Sequence, residues 1–157
     1  MKKIRILLIA GLMIISFSQC SNSENNKVNG TADTGTVMPS RDGVFIHITA
    51  GYNDPHRVLM PLKMATLMAD DKDVLVYLDI HAVELVVKGA EDLNFADFDS
   101  FQSYIKQLAD KNVGVYACPT CLKIAGHEPG DLIDGVQVAQ KDKFFNFTSG
   151  RIITLDY

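Results

Sequence analysis

Tryptophan is absent, and cysteine occurs only three times in 157 residues. So few cysteines exclude the disulfide-dense scaffold on which small secreted domains rely. Five prolines and eleven glycines, spread along the chain, leave no Pro-rich or collagen-like tract. No apolar run reaches the eighteen or so residues of a membrane-crossing helix, and the longest one lies at the amino terminus. Cations are outnumbered, 15 Lys and Arg against 19 Asp and Glu, for a net charge of −4. Without clustered Lys and Arg there is nothing to neutralise a phosphate backbone, and a nucleic-acid partner is excluded. No GxGxxG or Walker pattern follows the first strand-like segment, and the loop there lacks a hydroxyl-rich turn, which argues against nucleotide or flavin binding; no cofactor and no metal are expected. What remains, 47% apolar and 22% charged residues, suits one globular core.

The amino terminus places Lys2, Lys3 and Arg5 ahead of an apolar segment from Ile6 to Phe17, the pattern of an export signal. Phe17-Ser18-Gln19-Cys20 then resembles a bacterial lipoprotein box, in which Cys20 would become the lipidated first residue of the mature protein; ordinary cleavage near Ser18 is the other outcome. Several acyl chains at ~0.8 kcal/mol per buried methylene make such an anchor stable. Removing residues 1–19 takes away three positive charges and no negative one. Residues 20–42, rich in Ser, Asn, Thr and Gly, cannot bury enough surface to offset their ordering entropy and read as a flexible tether. The folded domain is expected over residues 43–157. Its location is expected to be the cell envelope, lipid-anchored and facing the periplasm, where a close thiol pair can be oxidised.

Within the domain, Val44–Thr49 ("VFIHIT"), Asp73–Ile80 ("DVLVYLDI") and Asn112–Ala117 ("NVGVYA") are near-continuous apolar runs rich in β-branched residues, as strands buried on both faces should be. Helical spacing falls between them. Val58, Leu59, Leu62 and Ala69 mark one helix, started by Asp54-Pro55 and bent or delayed by Pro61. Phe98, Phe101, Tyr104, Ile105 and Leu108 mark a second, with Asp97 or Asp99 as cap. Further strands are expected at "GVQVA" and "RIITLDY". This alternation predicts an α/β fold, a flavodoxin-like three-layer sandwich with a mainly parallel sheet of about five strands. Reactive groups in such sheets gather at the carboxyl ends of the strands.

That edge is where "VYACPTCLKIAG" puts Cys118 and Cys121, directly after the third strand and at the opening of a short helix. Unpaired N–H groups and the positive pole of a helix start stabilise a thiolate, and Cys-x-x-Cys pairs in this setting have lowered pKa values. Pro119 at the first helical position would send the Cys118 sulfur outward while Cys121 folds back over the first turn. Cys118 is therefore the expected nucleophile and Cys121 its partner. Four roles are compatible with the pair: a fastening disulfide, a metal site completed by His81 or His127, thiol–disulfide exchange, and carriage of sulfur as a persulfide. Closing so short a loop gains little stability, and no second Cys or His pair completes a tetrahedral zinc set.

Taken together, "VFIHIT", "RVLMPLKMATLMADD", "DVLVYLD", "GVYACPTCLKIAG", "DLIDGVQVA" and the terminal "GRIITLDY" resemble the DsrE/DsrF-like family, which includes the sulfur-relay subunits of the TusBCD type. The resemblance implies a small flavodoxin-like domain, assembled as a homo-oligomer (trimer or hexamer), that exchanges sulfur with a donor, an acceptor or a thiol redox partner. It also implies that Cys118 is the residue on which sulfur is held. This chain differs from relay members in its export signal and in Cys121, which could attack a persulfide on Cys118, release sulfide and close a disulfide. The alternative class is a non-enzymatic binding or scaffold module in which the pair is a static disulfide.

His81, two residues past Asp79 at the same sheet edge, is a candidate acid or base that Asp79 could orient. His56 and Arg57, in the loop after the first strand, are candidate cationic neighbours of the thiolate or of an anionic sulfur substrate. His47, inside the first strand, is expected to be a satisfied core residue. His127 is expected at the carboxyl end of the short helix, and "EDLNFADFD" as a solvated flap over the site.

Overall fold

A computed structural model of the chain describes residues 40–157. The expected export signal, Cys20 and residues 20–39 of the expected tether lie outside the described residues. Five strands form one sheet in the order β4-β3-β2-β1-β5: β1 (Gly43–Ile48), β2 (Asp73–Leu78), β3 (Gly114–Ala117), β4 (Val136–Val138) and β5 (Ile152–Asp156). Every pairing is parallel. Four helices accompany them: α1 (Pro55–Met68), α2 (Phe101–Asp110), α3 (Pro119–Ile124) and α4 (Lys141–Phe145). The architecture is the α/β class with the five parallel strands expected.

Strand order decides which face each helix covers. From β1 to β4 the chain steps across the sheet in one direction, so right-handed crossovers lay α1 and α2 side by side on one face. The return from β4 to β5, beyond β1, reverses the direction and carries α4 to the other face, where Phe144 meets Phe45 and Tyr77 edge-on at 5.1 and 4.9 Å. The two outer layers are unequal. On the first face Val44, Ile46, Ile48, Val74, Val76, Leu78, Val115 and Ala117 are buried against Val58, Leu59 and Leu62 of α1 and Phe101, Ile105 and Leu108 of α2. Each such aliphatic side chain stabilises the fold by roughly 1.5–3 kcal/mol. On the second face Phe45, His47 and Tyr77 are only partly buried, because α4 is five residues long.

Local signals explain most boundaries. Asp54 caps α1 by accepting from the Arg57 N–H, with Pro55 in the first turn. Pro61 sits inside α1 and is buried, and the helix runs through it to Met68; the proline ring is held by the core, and the missing donor affects one turn only. The second helix begins later than expected, at Phe101. Its cap is Ser100, whose hydroxyl accepts from the Ser103 N–H, while Asp99 accepts from Gln107 Nε2. Gly51 closes the edge above β1: a Cβ there would lie 2.9 Å from the His81 carbonyl oxygen, so only glycine lets the two strand-end loops approach so closely.

Candidate functional site

β3 ends at Ala117, and the next residue, Cys118, is still extended (φ −63°, ψ 119°) while already serving as the N-cap of α3. Its backbone N–H continues the ladder by donating to the Leu78 carbonyl at 2.9 Å. Its side chain takes the capping role that Ser or Asp usually fills: Cys118 Sγ accepts from the Cys121 N–H at 3.4 Å. Pro119 occupies the first turn, and Cys121 lies one turn on. At the far end Gly126 turns left-handed (φ +82°) and the His127 N–H donates to the Leu122 carbonyl at 3.0 Å, so the α3 terminus is satisfied through the backbone of His127. Both cysteines are free thiols and partly exposed.

The two sulfurs are made unequal by their surroundings. Partial burial pushes the Cys118 thiol up, but the Tyr77 side chain and the N–H groups of Cys121 and Thr120 favour its thiolate more strongly, and its pKa is lowered. Burial pushes Cys121 up as well; the Ile80 backbone opposes this, and the Cys118 and Asp79 charges add to it, so the Cys121 pKa is raised. Of the two thiols, Cys118 is therefore the one whose thiolate the surroundings favour, and Cys121 the one whose thiolate they disfavour. The Tyr77 phenol is itself raised, by burial first and then by Cys118 and the Asp79 charge, and remains a donor.

Side chains alternate along parallel strands, so Tyr77 and Asp79 project to the same face as Tyr116 and Cys118. The register pairs Tyr77 with Tyr116 and Leu78 with Ala117, which sets Asp79 in the same row as Cys118. On the other side of β2, His47 pairs with Tyr77 and with Asp156 of β5. The His47 imidazole is held between two carboxylates: Nδ1 lies 2.9 Å from Asp156 Oδ1 and Nε2 lies 3.0 Å from Asp79 Oδ2. Burial pushes its pKa down, the two carboxylates outweigh that, and the net shift is upward. Polar contacts thus run from Asp156 to His47 in one row and diagonally on to Asp79, which shares the next row with Cys118 just past the ends of β2 and β3. His47 is not a core residue, contrary to expectation, because the thin cover of the second face leaves its side chain 25% exposed.

The sequence-predicted histidines lie elsewhere. His81 is 66% exposed in the turn after β2, with Nδ1 4.0 Å from Glu84, while Asp79 pairs with His47 instead. His56, exposed in the first turn of α1, lies against Phe95 and Phe98 at 6.0 and 5.6 Å. Those rings belong to the segment expected to be a flap, which Tyr52 ties down through its hydroxyl to the Glu91 carbonyl at 2.7 Å. Neither imidazole is among the groups that most shift either thiol. Ile80 adds a feature with no sequence signal: a β-branched residue at φ +49°, strained, whose backbone acts on Cys121. A cavity of about 600 Å³ borders neither thiol nor Tyr77, His47, Asp79 or Asp156; it is lined by residues such as Arg41, Lys72, Lys111 and Lys143 near the amino ends of the strands.

A family model for the DsrE/DsrF-like family matches residues 42–153. The chain belongs to the DsrE/DsrF-like family. Among solved structures this DsrE-like domain is similar to the ychN protein from E. coli, with a TM-score of 0.58 at 21% identity, covering 73% of this chain and 99% of that one. It is also similar to MTH1491 from Methanobacterium thermoautotrophicum, with a TM-score of 0.49 at 20% identity and the same coverage of each chain. The likeness to ychN shows the shared fold. No curated protein matches the DsrE-like chain.

Proposed function

We propose that this DsrE-like protein moves sulfane sulfur through a persulfide on Cys118, with Cys121 as the resolving thiol. One observation carries the reading: Cys118 is a free, partly exposed thiol at a helix start, its sulfur already accepting a backbone N–H. Its lowered pKa enlarges the share of thiolate, the reactive form. The thiolate attacks the outer sulfur of a donor persulfide R–S–SH, forming Cys118–S–SH as R–S⁻ leaves, with no net oxidation. The sulfur then passes to an acceptor thiol. Alternatively Cys121 attacks Cys118 Sγ, expelling HS⁻ and closing the Cys118–Cys121 disulfide; the pair loses the two electrons that the sulfane sulfur gains, and an external dithiol restores it.

His81 and His56, both exposed, would act on the incoming anionic donor rather than on the thiols. The protein is placed in the cell envelope, held by lipid on Cys20, as the export signal suggests. Self-association as a trimer or hexamer is supported by the half-covered second face and by exposed Phe145, Ile152 and Ile153. The test is mass spectrometry of reduced protein exposed to glutathione persulfide. A 32 Da adduct on Cys118 that Cys118→Ser abolishes supports the reading. A pair that resists reduction and takes no adduct would instead make this a scaffold with a fastening disulfide.

A further inference from the structure

The thiol pair accounts for Cys118 and Cys121 but leaves the polar groups beside them unexplained. Asp79 is the notable member. It follows β2 directly, with its N–H donating to the Ile48 carbonyl at 3.1 Å, and it shares its row with Cys118. Its side chain is 18% exposed. One carboxylate oxygen, Oδ2, contacts His47, whereas Oδ1 is buried and has no hydrogen-bond partner among the described residues. His47 Nε2 lies 3.0 Å from Oδ2, so the imidazole holds one oxygen of the carboxylate and leaves the other, Oδ1, free to accept. An unpaired buried carboxylate oxygen is costly, and here the carboxylate shares the row of Cys118, whose sulfur the Cys121 N–H reaches at 3.4 Å.

We infer that Asp79 is the proton acceptor for Cys121 when that thiol attacks a sulfur-modified Cys118, and that His47, anchored by Asp156, is the positioning residue that aims Asp79. The inference rests on the thiol-chemistry reading and adds its missing proton transfer. In the step itself, the Cys121 S–H bond breaks and its proton goes to Asp79 Oδ1. The Cys121 sulfur bonds to Cys118 Sγ, and the outer group leaves as an anion: HS⁻ from a persulfide or R–S⁻ from a mixed disulfide. Atoms and charge balance, with one carboxylate replaced by one thiolate or hydrosulfide. The groups around Asp79 are His47 of β1, Tyr77 two residues back in its own strand, Cys118 in the same row after β3, Cys121 one turn on in α3, and Asp156 of β5 behind His47. The Asp79 charge also acts on Cys121.

The experiment uses dithiobis(nitrobenzoate), which separates the two thiols whatever the physiological sulfur donor is. A first burst of nitrothiobenzoate reports attack by Cys118, and a second reports Cys121 resolving the mixed disulfide. In Asp79→Asn the first burst should stay within twofold of wild type, while the second slows at least tenfold near pH 7. The deficit should narrow as pH rises and Cys121 ionises unaided, and alkylation of Cys121 in a Cys118→Ser background should move to lower pH once the Asp79 charge is gone. A merely structural role would give neither pH effect. His47→Gln, which keeps the carboxylate, should slow the second burst less than Asp79→Asn does. It also serves as the second variant if Asp79→Asn does not fold. A second burst at wild-type rate in either variant, or an unmoved Cys121 profile, overturns the inference. Failure to form a persulfide on Cys118 while these bursts behave as described would overturn the sulfur reading alone.

Discussion

The Cys121 backbone N–H points at Cys118 Sγ across 3.4 Å. The same turn that joins the two thiols therefore separates them chemically: one sulfur accepts hydrogen bonds, and the other sits beside a carboxylate charge. Alkylation by iodoacetamide, followed residue by residue with mass spectrometry across pH 5–10, should modify Cys118 at lower pH than Cys121. Coincident profiles would mean that the turn does not discriminate between them.

Tyr77 is the side chain that most favours the Cys118 thiolate. Replacing it by phenylalanine keeps the ring that packs edge-on against Phe144 and removes only the hydroxyl. The Cys118 alkylation profile should shift to higher pH, and its rate below the midpoint should fall about fivefold, the worth of a ~1 kcal/mol hydrogen bond. Thermal stability should change little. A rate unchanged from wild type would show that the backbone N–H groups suffice.

Some of this was visible in the sequence because local rules and the fold agree. The runs VFIHIT and DVLVYLDI, the Asp54-Pro55 helix start and the strand-then-Cys-x-x-Cys motif each point to their place without tertiary information. Tyr77, His47 and Asp79 were harder to read. Their strands look uniformly apolar, so period-two alternation gave no hint that one face is thinly covered, and Asp79 stood closer in sequence to His81 than to His47. Which histidine a carboxylate meets depends on strand order, and the order β4-β3-β2-β1-β5 is not written in any one segment. The cap of the second helix is ambiguous in sequence for a related reason: Asp97, Asp99 and Ser100 can all accept from a helix start, and Ser100 is the one that does.

Ile80 holds a left-handed backbone at φ +49° with a side chain 54% exposed. Such a residue costs roughly 1–2 kcal/mol there, and its exposed side chain returns little burial. Ile80→Gly removes the clash but adds freedom to the unfolded chain, so the domain should become more stable by about 0.5–1 kcal/mol in urea unfolding. A loss of stability would indicate that the isoleucine side chain contributes packing that outweighs its strain.

His47 gives the fold itself a pH dependence whose sign follows from its pair of carboxylates. Its folded pKa is raised above the ordinary 6.5, since Asp79 and Asp156 favour the imidazolium more than burial disfavours it. The folded state therefore binds a proton that the unfolded state releases first, and stability must fall with rising pH across that interval. The contribution is complete below about pH 6.5 and is lost as pH climbs through the raised folded value. Urea midpoints measured from pH 5.5 to 8.5 should decline for wild type and decline less for His47→Gln, the two curves converging at the alkaline end. Because the imidazole is partly exposed, added salt should also flatten the wild-type slope. Parallel curves for the two proteins would mean that the imidazolium and its carboxylates are as stable apart, in water, as they are across β5, β1 and β2.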